Sequence, residues 1–289
     1  MAQPSLADPR LADGRIVRPY VFVRGENRVV DPGQSQLNWF PNAPLVKDSQ
    51  SMEEGAFTDQ LLNLENKVFG PKLAMPRWVF YDCAIMPGIV SGFAIHRSAA
   101  SRAIKAVTEA PEDAEWIPLS LFITIPTLRS GEWVAHNLSS INTALPSEER
   151  FYGLGFLSKA FGLWYANIET CCGMTQWSSP AIKLHSHYGD IEVLTAYTPS
   201  HTYAKTLTYR LKVMPSEWDR FFTDQQAPRF YQQYKATGST VARSQEQNLK
   251  DLQRRIEAGE GPFYLDAAEI GTRPLDSDLT LFSPILSAY

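Results

Sequence analysis

The stretch from residue 170 to 213 constrains the fold most, because apolar and polar residues alternate in it over several short runs. Strict alternation is typical of β-strands that bury one face. Gly189 and Asp190 lie between two of these runs and have the residue types that close a two-residue β-hairpin. The predicted strands are 170–177, 181–188, 191–198 and 206–213. The pattern therefore predicts an antiparallel meander.

Apolar periodicity and turn residues predict the other elements before this stretch. A helix after residue 51 is favoured by a capping box of Ser51 and Glu54, and Gly70 with Pro71 would end it. Further strands are predicted at 16–23, 78–86, 89–97, 116–126 and 132–141, and further helices at 98–107 and 153–167.

The last part of the chain has a different character. Ser216 is predicted to cap one helix, and Ser239 or Thr240 another. The segment 279–289 is too apolar for a free tail, so we expect it to dock on the core or on a second subunit. The predicted fold class is α+β, with an antiparallel β-cone or barrel core, peripheral helices and a helical C-terminal extension. The predicted divisions are an arm and strand at 1–50, the core at 51–215 and the extension at 216–289.

Composition excludes several classes of function. The 289 residues include 27 Lys and Arg against 31 Asp and Glu, a net charge of −4, and no basic run, which argues against nucleic acid or an anionic membrane as a partner. The most apolar stretch, 78–95, contains Asp82 and the pair Pro87-Gly88, so it predicts two strands and a turn rather than a membrane span. We therefore expect a small-molecule substrate, with no cofactor, and a homo-oligomer stays open.

The cysteines indicate the compartment. There are three, of which Cys171 and Cys172 are neighbours that cannot easily bridge each other, while Cys83 stands apart. An odd count without a disulfide pattern favours a reducing compartment. The N-terminal residues contain no apolar signal segment, so we expect a cytoplasmic protein.

The order of predicted elements resembles that of the acetoacetate decarboxylase-like superfamily. The likeness lies in FAIHRSAASRAIKAV (93–107), LSLFITIPTLRSGEWV (119–134), HYGDIEVLTAY (187–197) and YRLKVMP (209–215). It implies a β-cone and an enzyme of decarboxylase or lyase type that acts on a keto acid or a related carbonyl metabolite. The family's catalytic motif, in which a lysine forms an imine, has no match, because the comparable stretch 162–173 contains neither Lys nor Arg.

Candidate catalytic residues follow from the predicted strand 181–188. Lys183, His185 and His187 would share one face, where Lys183 could act as an imine or electrostatic partner and a histidine could transfer protons. His136 is a second candidate for proton transfer. A solvated outer face is the more common reason for such a pattern at the first three residues, and a structural hydrogen bond is the more common role for a histidine such as His136. A zinc site would need Asp190 or His136 as a third ligand, and we expect no metal.

Further residues are candidates for substrate binding. Gln176 lies in an apolar strand and needs polar partners, which could be a substrate or a loop. Tyr81 and Asp82 are polar groups inside an apolar run, so Asp82 must be paired or face solvent or a pocket. His187 shares the face of Lys183, and Trp133 follows the glycine of a predicted hairpin.

A second resemblance leads to a different class of function. Arg150-x-x-Gly153-x-Gly155, at the start of a predicted helix, matches the loop with which GNAT N-acyltransferases bind acyl-CoA, where backbone N–H groups hold a pyrophosphate. In this alternative 178–189 is a helix, with Ser179 as its cap and Pro180 in its first turn. A non-catalytic barrel that binds an apolar ligand is a third possibility. The conformation of 178–189 distinguishes the first two, since a strand supports the cone and a helix supports the acyltransferase.

Overall fold

The computed structural model describes residues 8–23, 44–52, 55–71, 73–85, 88–224, 226–228 and 234–285. The strands are β1 (Val17–Val23), β2 (Leu45–Asp48), β3 (Ile89–His96), β4 (Trp116–Pro118), β5 (Ser120–Pro126), β6 (Glu132–Ser140), β7 (Thr170–Gln176), β8 (Ile191–Thr195), β9 (Thr206–Lys212), β10 (Tyr234–Val241), β11 (Phe263–Leu265) and β12 (Leu279–Pro284). The helices are α1 (Ala56–Phe69), α2 (Arg77–Ile85), α3 (Arg102–Thr108), α4 (Leu154–Tyr165), α5 (Ala181–Ser186), α6 (Pro215–Asp224), α7 (Glu246–Glu257) and α8 (Ala267–Thr272).

The chain divides into two compact units. The N-terminal unit consists of Met1–Ile168 and Pro215–Ala227, and the C-terminal unit of Glu169–Met214 and Pro228–Tyr289. Across the described ranges, no helix has the length and apolarity to cross a membrane.

The N-terminal unit is built on an open, mostly antiparallel sheet. Its strands follow the order β6-β5-β3-β1-β2, and β4 pairs with the end of β3 that β5 leaves free. β1 runs antiparallel to β3 and parallel to β2. Successive side chains of a strand point to opposite faces of the sheet, and β1, β3 and β5 are buried on both faces over most of their length.

Helices cover both faces of this sheet. On one face α4 packs on β3, β5 and β6, where the Phe93 and Phe161 ring centroids are 6.1 Å apart and Ser158 Oγ donates to Ser120 Oγ at 2.6 Å. α6 packs on α4. On the other face α1 and α2 contribute Leu61 and Phe80 to a fully buried cluster with residues of β1, β3 and β5. The sheet therefore provides a buried, well-packed surface for α4.

Gly162 sets how closely α4 approaches the sheet. A Cβ atom at this position would overlap the Phe122 ring and lie 2.9 Å from Ser91 Oγ. Helix propensity alone favours alanine by about 1 kcal/mol, but overpacking a core typically costs about 1–3 kcal/mol. We expect Gly162→Ala to lower the free energy of unfolding by about 1–2 kcal/mol in urea titrations. Gly271→Ala in α8, where a Cβ meets nothing within 4 Å, is the control and should be neutral or stabilising; equal losses would contradict the packing argument.

The C-terminal unit also contains open sheet, in which all neighbouring strands run antiparallel. Its order is β7-β9-β8-β11-β12-β10. α5 packs on β7 and α8, and α7 packs on β8 and β10. The apolar segment that starts at Leu279 is β12, which pairs with β10 and β11, so its predicted docking is confirmed as far as Pro284. Residues 286–289 lie outside the described residues.

Several predicted elements are confirmed. β1, β3, β6, β7 and β9 lie within a residue or two of their predicted ranges, and the predicted strand 116–126 is interrupted only at Leu119. α3 begins after Ser101, whose Oγ accepts the N–H of Ile104 at 3.2 Å. Gly70 ends α1 with a φ of 70°. Glu54, half of the predicted capping box, lies outside the described residues, and α1 starts after Gly55.

Two predicted strands are helices instead. Residues 78–85 of the first predicted strand fall in α2, where Phe80, Cys83 and Ala84 are buried at helical spacing. Residues 181–188 contain α5, so the hairpin at Gly189 and Asp190 does not form. A short run of apolar residues fits either period, and packing decides between them. Pro87 of the first predicted turn lies outside the described residues.

The predicted β-cone is wrong for the described part of the chain, because neither sheet closes on itself. The protein is instead a mixed α/β protein with extensive open sheet. The C-terminal extension is also not purely helical, since it contributes β10, β11 and β12. Ser239 and Thr240 lie in β10 and cap no helix, and α7 begins after Gln245.

Candidate functional site

The loop of residues 150–155, here called the glycine loop, leads into α4. Gly153 precedes the helix with a φ of 75°, a left-handed conformation that glycine adopts without strain. The N–H of Leu157 donates to the Gly153 carbonyl at 2.9 Å, so the first helical hydrogen bond starts there. Gly153 and Gly155 are partly accessible to solvent. Since N–H groups in the first turn of a helix have no acceptor within it, this end of α4 can receive an anion.

Asn142 is hydrogen-bonded to the glycine loop. Its Oδ1 accepts the N–H of Phe151 at 2.9 Å, and its Nδ2 donates to the Phe151 carbonyl at 2.7 Å. Arg150 Nε donates to the Leu145 carbonyl at 3.1 Å. The loop is therefore ordered by its own chain without a ligand, which reduces the conformational entropy lost on binding.

His136 is the extra residue of a β-bulge in β6. Ala135 pairs with Thr124 and Asn137 pairs with Ile123, so His136 has no partner residue in β5. Bulges redirect side chains and are common beside active sites. The His136 side chain is exposed, although neighbouring atoms partly desolvate the ring and lower its pKa. A lowered pKa keeps the imidazole neutral near pH 7, as a general base requires.

Glu65 of α1 is fully buried beside this bulge. Its Oε1 accepts a short hydrogen bond from Asn137 Nδ2, and its Oε2 accepts the N–H of Met75 at 3.0 Å. Burial raises the pKa of Glu65 to about 7, against the lowering effect of both hydrogen bonds. Glu65 thus connects α1 by a hydrogen bond to Asn137, the residue that follows His136.

α5 separates the predicted catalytic residues of the C-terminal unit. Successive helical residues turn by about 100°, so His185 points away from Lys183 and His187, and the three side chains do not share one face. His185 is buried, with its ring centroid 4.9 Å from that of Tyr209, whereas His187 is exposed and Lys183 is half-buried. The predicted convergence of an amine and two imidazoles is therefore wrong.

The predicted substrate-binding residues are also dispersed. Gln176 ends β7 half-buried, and its carbonyl accepts the N–H of Ser179 at 2.9 Å. Tyr81 and Asp82 lie on α2, where Tyr81 packs on the buried cluster and Asp82 faces solvent. Trp133 is half-buried on β6, opposite Pro126. In the N-terminal unit, the candidates His136 and Trp133 share a strand.

No cluster of three or more possible metal ligands occurs among the residues that the structure describes. Asp190, one proposed zinc ligand, instead accepts the N–H of Ala267 at 2.8 Å through Oδ1. Its pKa is raised, chiefly by burial.

Sequence reasoning missed Glu65, Asn137 and Asn142. Helical periodicity could have found Glu65, because it follows Leu61 by four residues and so lies on the apolar stripe of α1. The two asparagines give no comparable signal, since their partners are distant in sequence. Lys159 of α4 is fully buried.

The solved structures that are similar to this chain include two proteins described as acetyltransferases. The ribosomal-protein-S18-alanine N-acetyltransferase from Escherichia coli is 14% identical, with a TM-score of 0.37, and the match covers 55% of this chain and 90% of that chain. A protein from Desulfovibrio desulfuricans, assigned to the GNAT family of acetyltransferases, is 13% identical, with a TM-score of 0.36, and the match covers 56% and 94%. No protein-family model and no curated protein matches the sequence.

The fold overturns the expected relationship to acetoacetate decarboxylases. The described strands form no closed cone, and the hairpin expected at Gly189 and Asp190, within the stretch that carried the resemblance, is absent because residues 181–186 form α5. The prediction of a keto-acid decarboxylase or lyase is wrong with it.

Proposed function

We propose that this protein is an acyl-CoA-dependent N-acyltransferase that binds the pyrophosphate of its cosubstrate at the glycine loop. The observation that carries the proposal is the start of α4. Gly153, in a left-handed conformation, and Gly155, which is partly accessible to solvent, lie in one ordered turn there. The same turn presents the first N–H groups of the 12-residue helix α4. Successive backbone N–H groups at a helix N-terminus are suited to a phosphate.

The helix at 181–186 supports the same proposal. It is the conformation that the acyltransferase alternative predicts for this segment, whereas the alternative of a closed barrel has no support in the described residues. The proposed acyl acceptor is a small molecule, or a small chemical group, that carries an amine.

His136 is the residue we propose as general base. His136 lies four residues before Ser140, the last residue of β6, and four residues of a strand span about 13 Å. A neutral histidine there would take a proton from the acceptor amine as its nitrogen forms a bond to the acyl carbon. The carbon–sulfur bond breaks, and the electron pair leaves with the sulfur of the released thiolate. His185, the other predicted proton carrier, is buried against Tyr209 and is the weaker candidate.

Acetyl-CoA should raise the melting temperature of the protein, because a ligand that binds only the native state stabilises it. At a ligand concentration of about 100 Kd the expected stabilisation is about 2.7 kcal/mol. Gly155→Glu should abolish the shift, because its carboxylate would occupy the anion site. Gly271→Glu makes the same change in charge on exposed α8 and should keep the shift.

Differential scanning fluorimetry with acetyl-CoA, and with ADP at the same concentration, distinguishes the outcomes. A shift with acetyl-CoA that exceeds the shift with ADP, and that Gly155→Glu removes, supports an acyl-CoA site. An absent shift, or an equal shift in both variants, would rule out the glycine loop as the binding site.

We also propose a cytoplasmic or other reducing location. None of the three cysteines forms a disulfide, and Cys83 and Cys171 are buried. Titration of the denatured, unreduced protein with a thiol reagent should find three thiols per chain. A smaller number in protein isolated from its own cell would contradict this location.

A further inference from the structure

The segment of residues 8–10 contacts the glycine loop at three points. The backbone N–H of Asp8 donates to the Tyr152 carbonyl at 2.8 Å. Arg10 Nη2 donates to the Arg150 carbonyl at 2.5 Å. The Arg10 guanidinium lies 4.2 Å from the ring centroid of Phe151, a cation–π distance. Three successive loop residues are therefore held by two residues near the start of the chain.

Asp8 fixes the orientation of the Arg10 side chain. Its Nε lies 3.0 Å from Asp8 Oδ1, and its Nη2 lies 2.6 Å from Asp8 Oδ2. The hydrogen bond from Arg10 lowers the pKa of Asp8, so the carboxylate stays charged at neutral pH. Because the guanidinium is planar and two of its five N–H groups are bound in this way, the direction of the second Nη2 N–H is fixed.

We propose that Asp8 and Arg10 are positioning residues that form a brace and aim the N–H of Gly153 at the acyl-CoA pyrophosphate. This inference rests on the proposed function. In a trans peptide the C=O and the N–H point in opposite directions. The peptide between Tyr152 and Gly153 is trans, so a Tyr152 carbonyl held toward Asp8 directs the Gly153 N–H away from the brace.

The glycine loop is loosely packed on the side of Arg10, so hydrogen bonds are needed to hold it in place. A cavity of about 140 Å³ lies there, and its lining includes Arg10, Ser101, Glu149 and Phe151. Because side chains leave this volume unfilled, tight packing alone does not fix the loop. Loss of the brace should therefore let the loop move without unfolding the unit.

Arg10→Ala tests the brace against a closely matched control. Arg15 makes the same local pair with Asp13, through Nε at 3.0 Å and Nη2 at 2.9 Å, and its described hydrogen bonds do not reach the glycine loop. We expect Arg10→Ala to raise the Kd for acetyl-CoA about tenfold, as loss of one charge-assisted hydrogen bond would. Arg15→Ala should leave the Kd unchanged, and Arg10→Lys, which keeps the charge without the fork, should restore it in part.

Amide hydrogen exchange of Phe151, Tyr152 and Gly153 in the ligand-free proteins gives a readout that does not depend on function. Arg10→Ala should exchange faster at these amides than wild type and Arg15→Ala. Equal exchange and equal Kd in both variants would overturn the brace while leaving the proposed function intact. If wild type does not bind acetyl-CoA, the proposed function fails, and the positioning role fails with it even where exchange shows that the brace is formed.

Discussion

Replacing His136 with alanine is expected to lower the rate of acyl transfer by a factor of roughly 10² to 10⁴, the usual contribution of a general base. Binding of acetyl-CoA should not change, because the glycine loop does not include His136. The rate of the wild type should rise with pH through the pKa of His136, which lies below its ordinary value because the ring is partly desolvated. Above that pKa the imidazole is neutral and can accept the proton.

The measurement is thiol release from acetyl-CoA in the presence of a panel of amines that includes lysine, polyamines and short peptides with a free N-terminus. His201→Ala, at an exposed histidine of the C-terminal unit, controls for the loss of an imidazole. An unchanged rate in His136→Ala, with an amine that wild type acetylates, would remove His136 from the reaction.

Replacing Glu65 with glutamine is expected to stabilise the protein more at pH 8 than at pH 5. The folded pKa of about 7 lies above the ordinary value of 4.5, so the folded state holds the proton more tightly than the unfolded state. The stability that this proton provides is fully present below the unfolded pKa and is lost as pH rises through the folded value. From pH 5 to pH 8, wild type should lose about 2–3 kcal/mol relative to Glu65→Gln.

Urea unfolding of both proteins at pH 5 and pH 8 measures this difference. Glutamine cannot accept hydrogen bonds through both side-chain atoms, so one contact, to Met75 or to Asn137, is weakened at every pH, and only the change with pH is diagnostic. Glu112→Gln, on an exposed loop, controls for the removal of one negative charge. A difference between wild type and Glu65→Gln that does not change with pH would show that Glu65 is ionised without penalty.

The candidate site was only partly predictable from sequence. The spacing of Arg150, Gly153 and Gly155 is a local pattern, and it predicted both the loop and the helix that follows. His136 was a candidate because of its residue type, whereas its bulge depends on the register between β5 and β6. Register is set by pairing across strands, which a single sequence does not display.

The error at 181–188 has a specific physical cause. A helix of six residues is too short to be stable alone, because its nucleation is unfavourable. α5 therefore depends on its packing against β7 and α8, and α8 begins 80 residues or more further along the chain. The alternating pattern of this stretch carried no information about that contact.

The sequence by itself determined β7 and β9, because burial of one face repeats at the period of a strand, and it located β1, β3 and α4 from their runs of apolar residues. It also determined the glycine loop, whose backbone conformation depends on residue type. Only the tertiary structure decided the open sheets, α2 and α5, and the pairs that shape the site. Arg10 and the Arg150 carbonyl are 140 residues apart, and Glu65 and Asn137 are 72 apart. Contacts over such separations form only when packing of the whole unit offsets the loss of chain entropy, so no local pattern encodes them.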